Sequence, residues 1–379
     1  MNRKKFLKNM GLGVLALGAP NLISAKNKGE KTSPHIFGSP NNKYTNPVLS
    51  TLELNKDLGL GGVPLAGCWK KTSEKEALET LEEAWNLGIR FFDTSPRYGN
   101  GISERRFGVF LDGKNRSEYL LSSKVGRLLK PGTPPESQVA HLWKNPMNAV
   151  FHYDYSASAT RKSVEDSLLR LGVSSLDYVF IHDLTPGNLK ENFEHHLNQA
   201  RHGAIPELIR MKQQGMIKGW GFGINSPEAV LRTLEFAIPD LCLMATQYSL
   251  LDHKEALEIT FPKLQEKKVK IILGSPLNCG YLAGNETWNY SPSPAPKAIA
   301  GKRDQLAALC HKFGVDMRTA SLQFAMAHPA VVSILTGCRS AKQIRENVLS
   351  LQLENRIPKE FWTALIETGL IAPNAPIPH

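Results

Sequence analysis

Between residues 90 and 108 the chain reads RFFDTSPRYGNGISERRFG. The carboxylate of Asp93 and the phenol of Tyr98 stand five residues apart, where an apolar β-prone run gives way to a glycine-broken loop. Lys124 closes a second such run, LLSSK, and His182 a third, YVFIH. A phenol titrates near pH 10, too high for ready proton exchange at neutrality. An ammonium beside it favours the phenolate, and a carboxylate behind the lysine keeps that ammonium charged and oriented. An imidazole can then hydrogen-bond the substrate oxygen. Such a set moves a proton on or off an alcohol or carbonyl oxygen while another group moves a hydride. Singly, a strand-end Asp or Lys is more often a structural ion pair and a His simply hydrogen-bonded, so the reading rests on the four together.

These side chains need a scaffold that brings distant strand ends to one place. Eight strand candidates follow one another: GGVPLAG, IRFFDTS, YLLSSKVG, LDYVFIHD, IKGWGFGIN, LCLMATQYS, VKIILGSPL and VVSILTG. Helical patterns such as TSEKEALETLEEAWNLG, RKSVEDSLLRLG, IPELIRMKQQG and KRDQLAALCHKFG lie between them. The first helix opens on Thr72 and Ser73, which are capping residues, and closes on Leu87 and Gly88. Apolar strands alternating with amphipathic helices predict a parallel sheet covered on its faces, and eight repeats close into a (β/α)8 TIM barrel. An open doubly wound sheet is the alternative, but LGLGGVPLAG lacks the glycine spacing of a dinucleotide fingerprint. Two long connections, 130–158 and 285–298, carry aromatics and read as walls of a substrate pocket.

The barrel is placed at 51–379, behind a linker at 26–50 and an export signal at 1–25. MNRKKFLKNM is a basic head, GLGVLALGAPNLISA a short apolar run, and a polar tract follows. That order is the pattern of a secretory signal, and the apolar run is shorter than the roughly 20 residues of a membrane span. RKKFLK is similar to a twin-arginine motif, a route that carries folded proteins, and predicts a periplasmic product. The alternative is a cytoplasmic protein. The net charge is +11, of which residues 1–31 hold +6, and the rest is scattered, so no nucleic-acid surface is expected. The five cysteines, Cys68, Cys242, Cys279, Cys310 and Cys338, form no CxxC pair. No disulfide framework and no metal site is implied.

With Asp93, Tyr98, Lys124 and His182 at successive strand ends, the chain resembles the aldo-keto reductases, NAD(P)-dependent oxidoreductases on a (β/α)8 barrel. The resemblance spans nearly everything after about residue 50. It implies that these four are the catalytic tetrad. A finer resemblance, in DTSPRYG, SERRFG, SSKVGRLLKP, DYSASATRKSVEDSLLRLG and DYVFIHD, is to the branch of D-threo-aldose dehydrogenases and pyridoxal dehydrogenase. It implies a small-molecule sugar or aldehyde substrate, with an aldose oxidised to its lactone.

The resemblance also implies cofactor contacts. Gln247 would bind the nicotinamide carboxamide, and Ser275 and Leu277 would line the pyrophosphate. Gly337, Arg339, Gln343, Glu346 and Asn347, in TGCRSAKQIREN, would hold the adenosine. Gly274 departs from the family's usual stacking aromatic, and one residue of register decides whether Asn225 takes a carboxamide role, which stays open. Gln343 replaces a frequent phosphate-binding arginine, while Arg339 is available to a 2′-phosphate, so NAD and NADP both stay open. The rival readings are a non-catalytic nucleotide-binding barrel and an anionic-surface binder. The sequence leaves the oligomeric state open.

Overall fold

The computed structural model describes residue 54 and residues 57–139, 142–352 and 356–378. The segments read as export signal and linker, 1–25 and 26–50, lie outside the described residues. Ten strands occur in chain order: β1 (Asp57–Gly61), β2 (Phe91–Asp93), β3 (Leu120–Val125), β4 (Arg127–Pro131), β5 (Ala149–Tyr153), β6 (Leu176–His182), β7 (Ile217–Ile224), β8 (Leu241–Ala245), β9 (Lys270–Gly274) and β10 (Val331–Gly337). All but β4 and β5 close a barrel of parallel neighbours, in which β10 pairs β1 to complete the ring. This is the expected (β/α)8 barrel.

Strand parity builds two cores from one sheet, because successive side chains point to opposite faces. Phe91, Leu120, Phe180, Leu241, Leu243, Ile272 and Leu335 form one buried cluster. Their sequence neighbours Phe92, Leu121, Val179, Ile181, Cys242, Ile271 and Ile334 join the larger cluster with the helices. The first set is the barrel interior. Fully burying a phenylalanine such as Phe91 or Phe180 contributes roughly 1.5–3 kcal/mol.

The helix Glu74–Asn86 forms as its sequence requires. Ser73 accepts a hydrogen bond from the Glu76 amide while Glu76 reaches back to the Ser73 amide, a complete capping box. Ala77, Leu81 and Ala84 recur at helical spacing and are fully buried. Leu87 caps the far end before Gly88, whose φ is 85°.

Two elements differ from expectation. The first strand is β1, not GGVPLAG, whose Pro64–Ala66 instead forms a 3-10 turn beyond the strand end. With Asp57, Gly59 and Gly61 and no β-branched residue, β1 has a weak strand signature, and its pairing with β10 and β2 sets it in place. Overlapping the start of 130–158, β4 and β5 pair antiparallel as a ribbon beside the barrel, from Arg127 opposite Tyr153 to Pro131 opposite Ala149.

Candidate active site

Parity and register place three of the four predicted side chains. Asp93 lies two residues beyond Phe91, Lys124 four beyond Leu120, and His182 two beyond Phe180. Each therefore points to the barrel interior at its strand's C-terminal end. Asp93 pairs with Ser122 on β3, and Lys124 with Phe180 on β6. Opposite His182 on β7 is Gly223, where a Cβ would stand 3.2 Å from both Lys124 Cε and Phe180 Cβ, so its lack of a side chain leaves room for the lysine stem. Tyr98 comes from the turn Tyr98–Gly101 beyond β2.

Lys124 Nζ donates to Asp93 Oδ2 at 2.6 Å, to Oδ1 at 2.8 Å and to the Thr94 carbonyl at 2.8 Å. The Ser122 hydroxyl donates to the same carboxylate at 2.7 Å. The ion pair is buried. Burial pushes the Asp93 carboxyl up and the Lys124 ammonium down, and their mutual contact opposes both shifts. Lys124 Nζ stands 4.8 Å from the centroid of the Tyr98 ring, which meets the His182 ring edge-on at 5.8 Å.

The electrostatics of Tyr98 differ from expectation. Burial holds its phenol well above the usual 10, and the Asp93 carboxylate adds to the rise. The Lys124 charge is compensated by Asp93, so its expected pull on the phenol does not prevail. Burial likewise holds His182 well below 6.5, a neutral ring. The Ser95 hydroxyl accepts from the Arg97 amide at 3.0 Å and lies 3.1 Å from His182 Nδ1. Its own proton is available to Nδ1, and in that tautomer the ring proton is on Nε2.

Sequence reasoning missed several supports. Ser95 was visible inside DTSPRYG but carried no signal of its own. Asp183, next to His182, receives Arg127 at 2.6 Å, and Arg127 also donates to the Tyr153 hydroxyl at 3.0 Å. Tyr155 donates to the His182 carbonyl at 2.9 Å. Trp143, from the expected pocket wall at 130–158, lies 6.1 Å from Tyr98.

A cleft of about 350 Å³ opens from Asp93 and Tyr98 across the ends of β8, β9 and β10. Of the expected cofactor residues, Ser275, Leu277, Gly337, Arg339, Gln343 and Asn347 line it. Gln247 and Glu346 do not. Gln247 lies two residues past β8, and Glu346 is engaged by Arg318 at 2.7 Å and Lys342 at 3.7 Å. Asn225 is exposed just past β7 and is also off the lining. From the second expected wall, 285–298, Asn285, Glu286, Thr287 and Tyr290 reach the cleft. Tyr290 stacks on Trp69 at 5.8 Å, and its hydroxyl is 2.7 Å from Ser275 Oγ.

The cleft suits a phosphate-bearing dinucleotide. Arg318 and Arg339 both line it, and Arg339 Nε is buried without an acceptor. Gln343 Oε1 holds the Arg339 amide at 2.8 Å. Among the described residues no group of three or more His, Cys, Asp or Glu is placed to hold a metal, and no helix is long and apolar enough to cross a membrane.

The Aldo/keto reductase family model matches residues 57–368. Pyridoxal 4-dehydrogenase of Microbacterium luteolum is 35% identical over 328 residues, covering 83% of this chain and 94% of the relative. D-threo-aldose 1-dehydrogenase of a Pseudomonas species is 32% identical over 322 residues, with the same coverages of 83% and 94%. The structure of an aldo-keto reductase from Bacillus halodurans in its holo form shares the fold, with a TM-score of 0.61 at 23% identity over 85% of this chain and 94% of that one. The chain is an oxidoreductase belonging to the aldo/keto reductase family.

Proposed function

We propose that the protein interconverts an aldose and its lactone with NAD or NADP, oxidising the sugar at its anomeric carbon. The observation that carries this reading is the meeting of Tyr98, His182 and the Lys124–Asp93 pair, of which Tyr98 and Asp93 open onto a cleft that Arg318 and Arg339 also line. When bound, a nicotinamide dinucleotide supplies the two-electron partner for the reacting carbon. Arg318 and Arg339 would hold its phosphates, with Ser275, Leu277, Gly337, Gln343 and Asn347 around it.

The chain's own residues handle the proton. His182, neutral with its proton on Nε2, donates a hydrogen bond to the substrate oxygen and orients it. Tyr98 donates its proton to a carbonyl oxygen in reduction; in oxidation it first releases that proton and then, as the phenolate, takes the one from the hydroxyl. Lys124 supplies positive charge next to the ring as the phenolate forms, and Asp93 fixes the lysine in place. The choice of an aldose rests on the similarity to D-threo-aldose 1-dehydrogenase.

The test is turnover of an aldose panel with each dinucleotide, followed by reduced-nicotinamide absorbance. Tyr98→Phe should lower kcat by about 10²- to 10⁴-fold, the usual worth of a positioned proton donor, and leave dinucleotide affinity within about twofold. Turnover by Tyr98→Phe at the wild-type rate would refute the assignment.

A further inference from the structure

Arg97, immediately before Tyr98, has no part in the proton chemistry. Its guanidinium carbon lies 5.3 Å from the centroid of Trp143 and 4.8 Å from that of Phe151, both in the long connection after β3. The group makes one side-chain hydrogen bond among the described residues, to Asn100 Oδ1 at 3.2 Å, and no ion pair. It is half-buried. Burial and the neighbouring Arg127 lower it to about 10.

The charge around it does not balance. Asp93 and Lys124 cancel each other. Asp183 pairs with Arg127 at 2.6 Å and also acts on Arg97, one carboxylate for two guanidiniums, and Arg127 Nε is itself buried without an acceptor. Arg97 is thus a surplus cation beside Tyr98 and His182, between two aromatic faces. A partly desolvated guanidinium without a carboxylate is costly, and a bidentate anion relieves that cost far better than a neutral hydroxyl does.

We infer that Arg97 binds substrate, and that the substrate is an aldose or related aldehyde carrying an anionic group, a carboxylate or a phosphate, away from the reacting carbon. The inference rests on the reading of Tyr98 as proton carrier, which fixes where the reacting oxygen lies.

The experiment compares galactose, galacturonate and galactose 6-phosphate as substrates of the wild type, Arg97→Gln and Arg97→Lys. Equilibrium binding of the same three ligands to the dinucleotide-saturated protein is followed in parallel by tryptophan fluorescence. One anion should exceed galactose in kcat/KM by about 10- to 100-fold, and whichever does distinguishes carboxylate from phosphate. Arg97→Gln should collapse that ratio through KM, and Arg97→Lys should restore part of it. Galactose turned over as well as both anions by the wild type would overturn the inference and leave the aldose reading standing, whether or not the variants fold. Anion binding that is lost in Arg97→Gln, with no sugar turned over, would uphold the anion site and remove the aldose reading. Failure of both anions to bind the wild type would overturn the inference outright.

Discussion

His182 and His253 are buried, and burial holds each below the usual 6.5. His253 Nε2 accepts from the Ala372 amide at 3.1 Å, so its Nδ1 proton serves the Ser249 carbonyl at 2.9 Å. A proton added at Nε2 would break the first of these bonds. In the unfolded chain each ring takes up its proton near 6.5, whereas the folded chain resists until lower pH. The unfolded state therefore binds more protons below that pH, and stability present above it is lost as the pH falls. Each ring adds a slope of up to about 1.4 kcal/mol per pH unit. Urea midpoints at about pH 7.5, 6.5 and 5.5 should show the loss, and His182→Asn should make it shallower. Equal slopes in the two proteins would mean that His182 is not neutral in the fold.

The β4–β5 ribbon turns away from the barrel at Gly126, and the site depends on that turn. Gly126 has φ 102°, and a Cβ there would run into Cε1 of the fully buried Tyr155. Tyr155 in turn holds the His182 carbonyl. Gly126→Ala should therefore cost about 1–3 kcal/mol in urea unfolding through overpacking and strain, and lower kcat as His182 shifts. A variant with unchanged stability and activity would show that Tyr155 yields freely. The ribbon itself was hard to read in the sequence. The antiparallel pairing of RLLKP with AVFHY joins strands 17 residues apart across a Pro-rich loop, whereas each barrel strand except β1 announced itself as an apolar run.

For the whole molecule, we propose that the chain is exported folded with its dinucleotide already bound, as the basic and apolar residues of 1–25 imply. Protein purified from its native host should lack about the first 25 residues by intact mass. When purified without added cofactor and then denatured, it should release NAD or NADP near one per chain. Full-length chain from the cytoplasm would remove export. Negligible occupancy with a micromolar Kd, about −8 kcal/mol of binding, would remove retention.

The repeat of strand and helix, and the parity along each strand, were set by the sequence alone. Once Phe91, Leu120 and Phe180 are committed to the barrel interior, Asp93, Lys124 and His182 must follow them to the same face, because a strand alternates every residue. The helix Glu74–Asn86 was equally legible, since its capping box and buried stripe are local. Tertiary structure decided the rest. β1 is a strand through its neighbours, Glu346 answers to Arg318 rather than the cleft, and Ser95, Asp183 and Tyr155 acquire their partners across 87, 56 and 27 residues of chain. The phenol of Tyr98 shows the reason. Its proton affinity is governed by burial and by the nearby Asp93 carboxylate, and neither desolvation nor that approach exists until the barrel has closed.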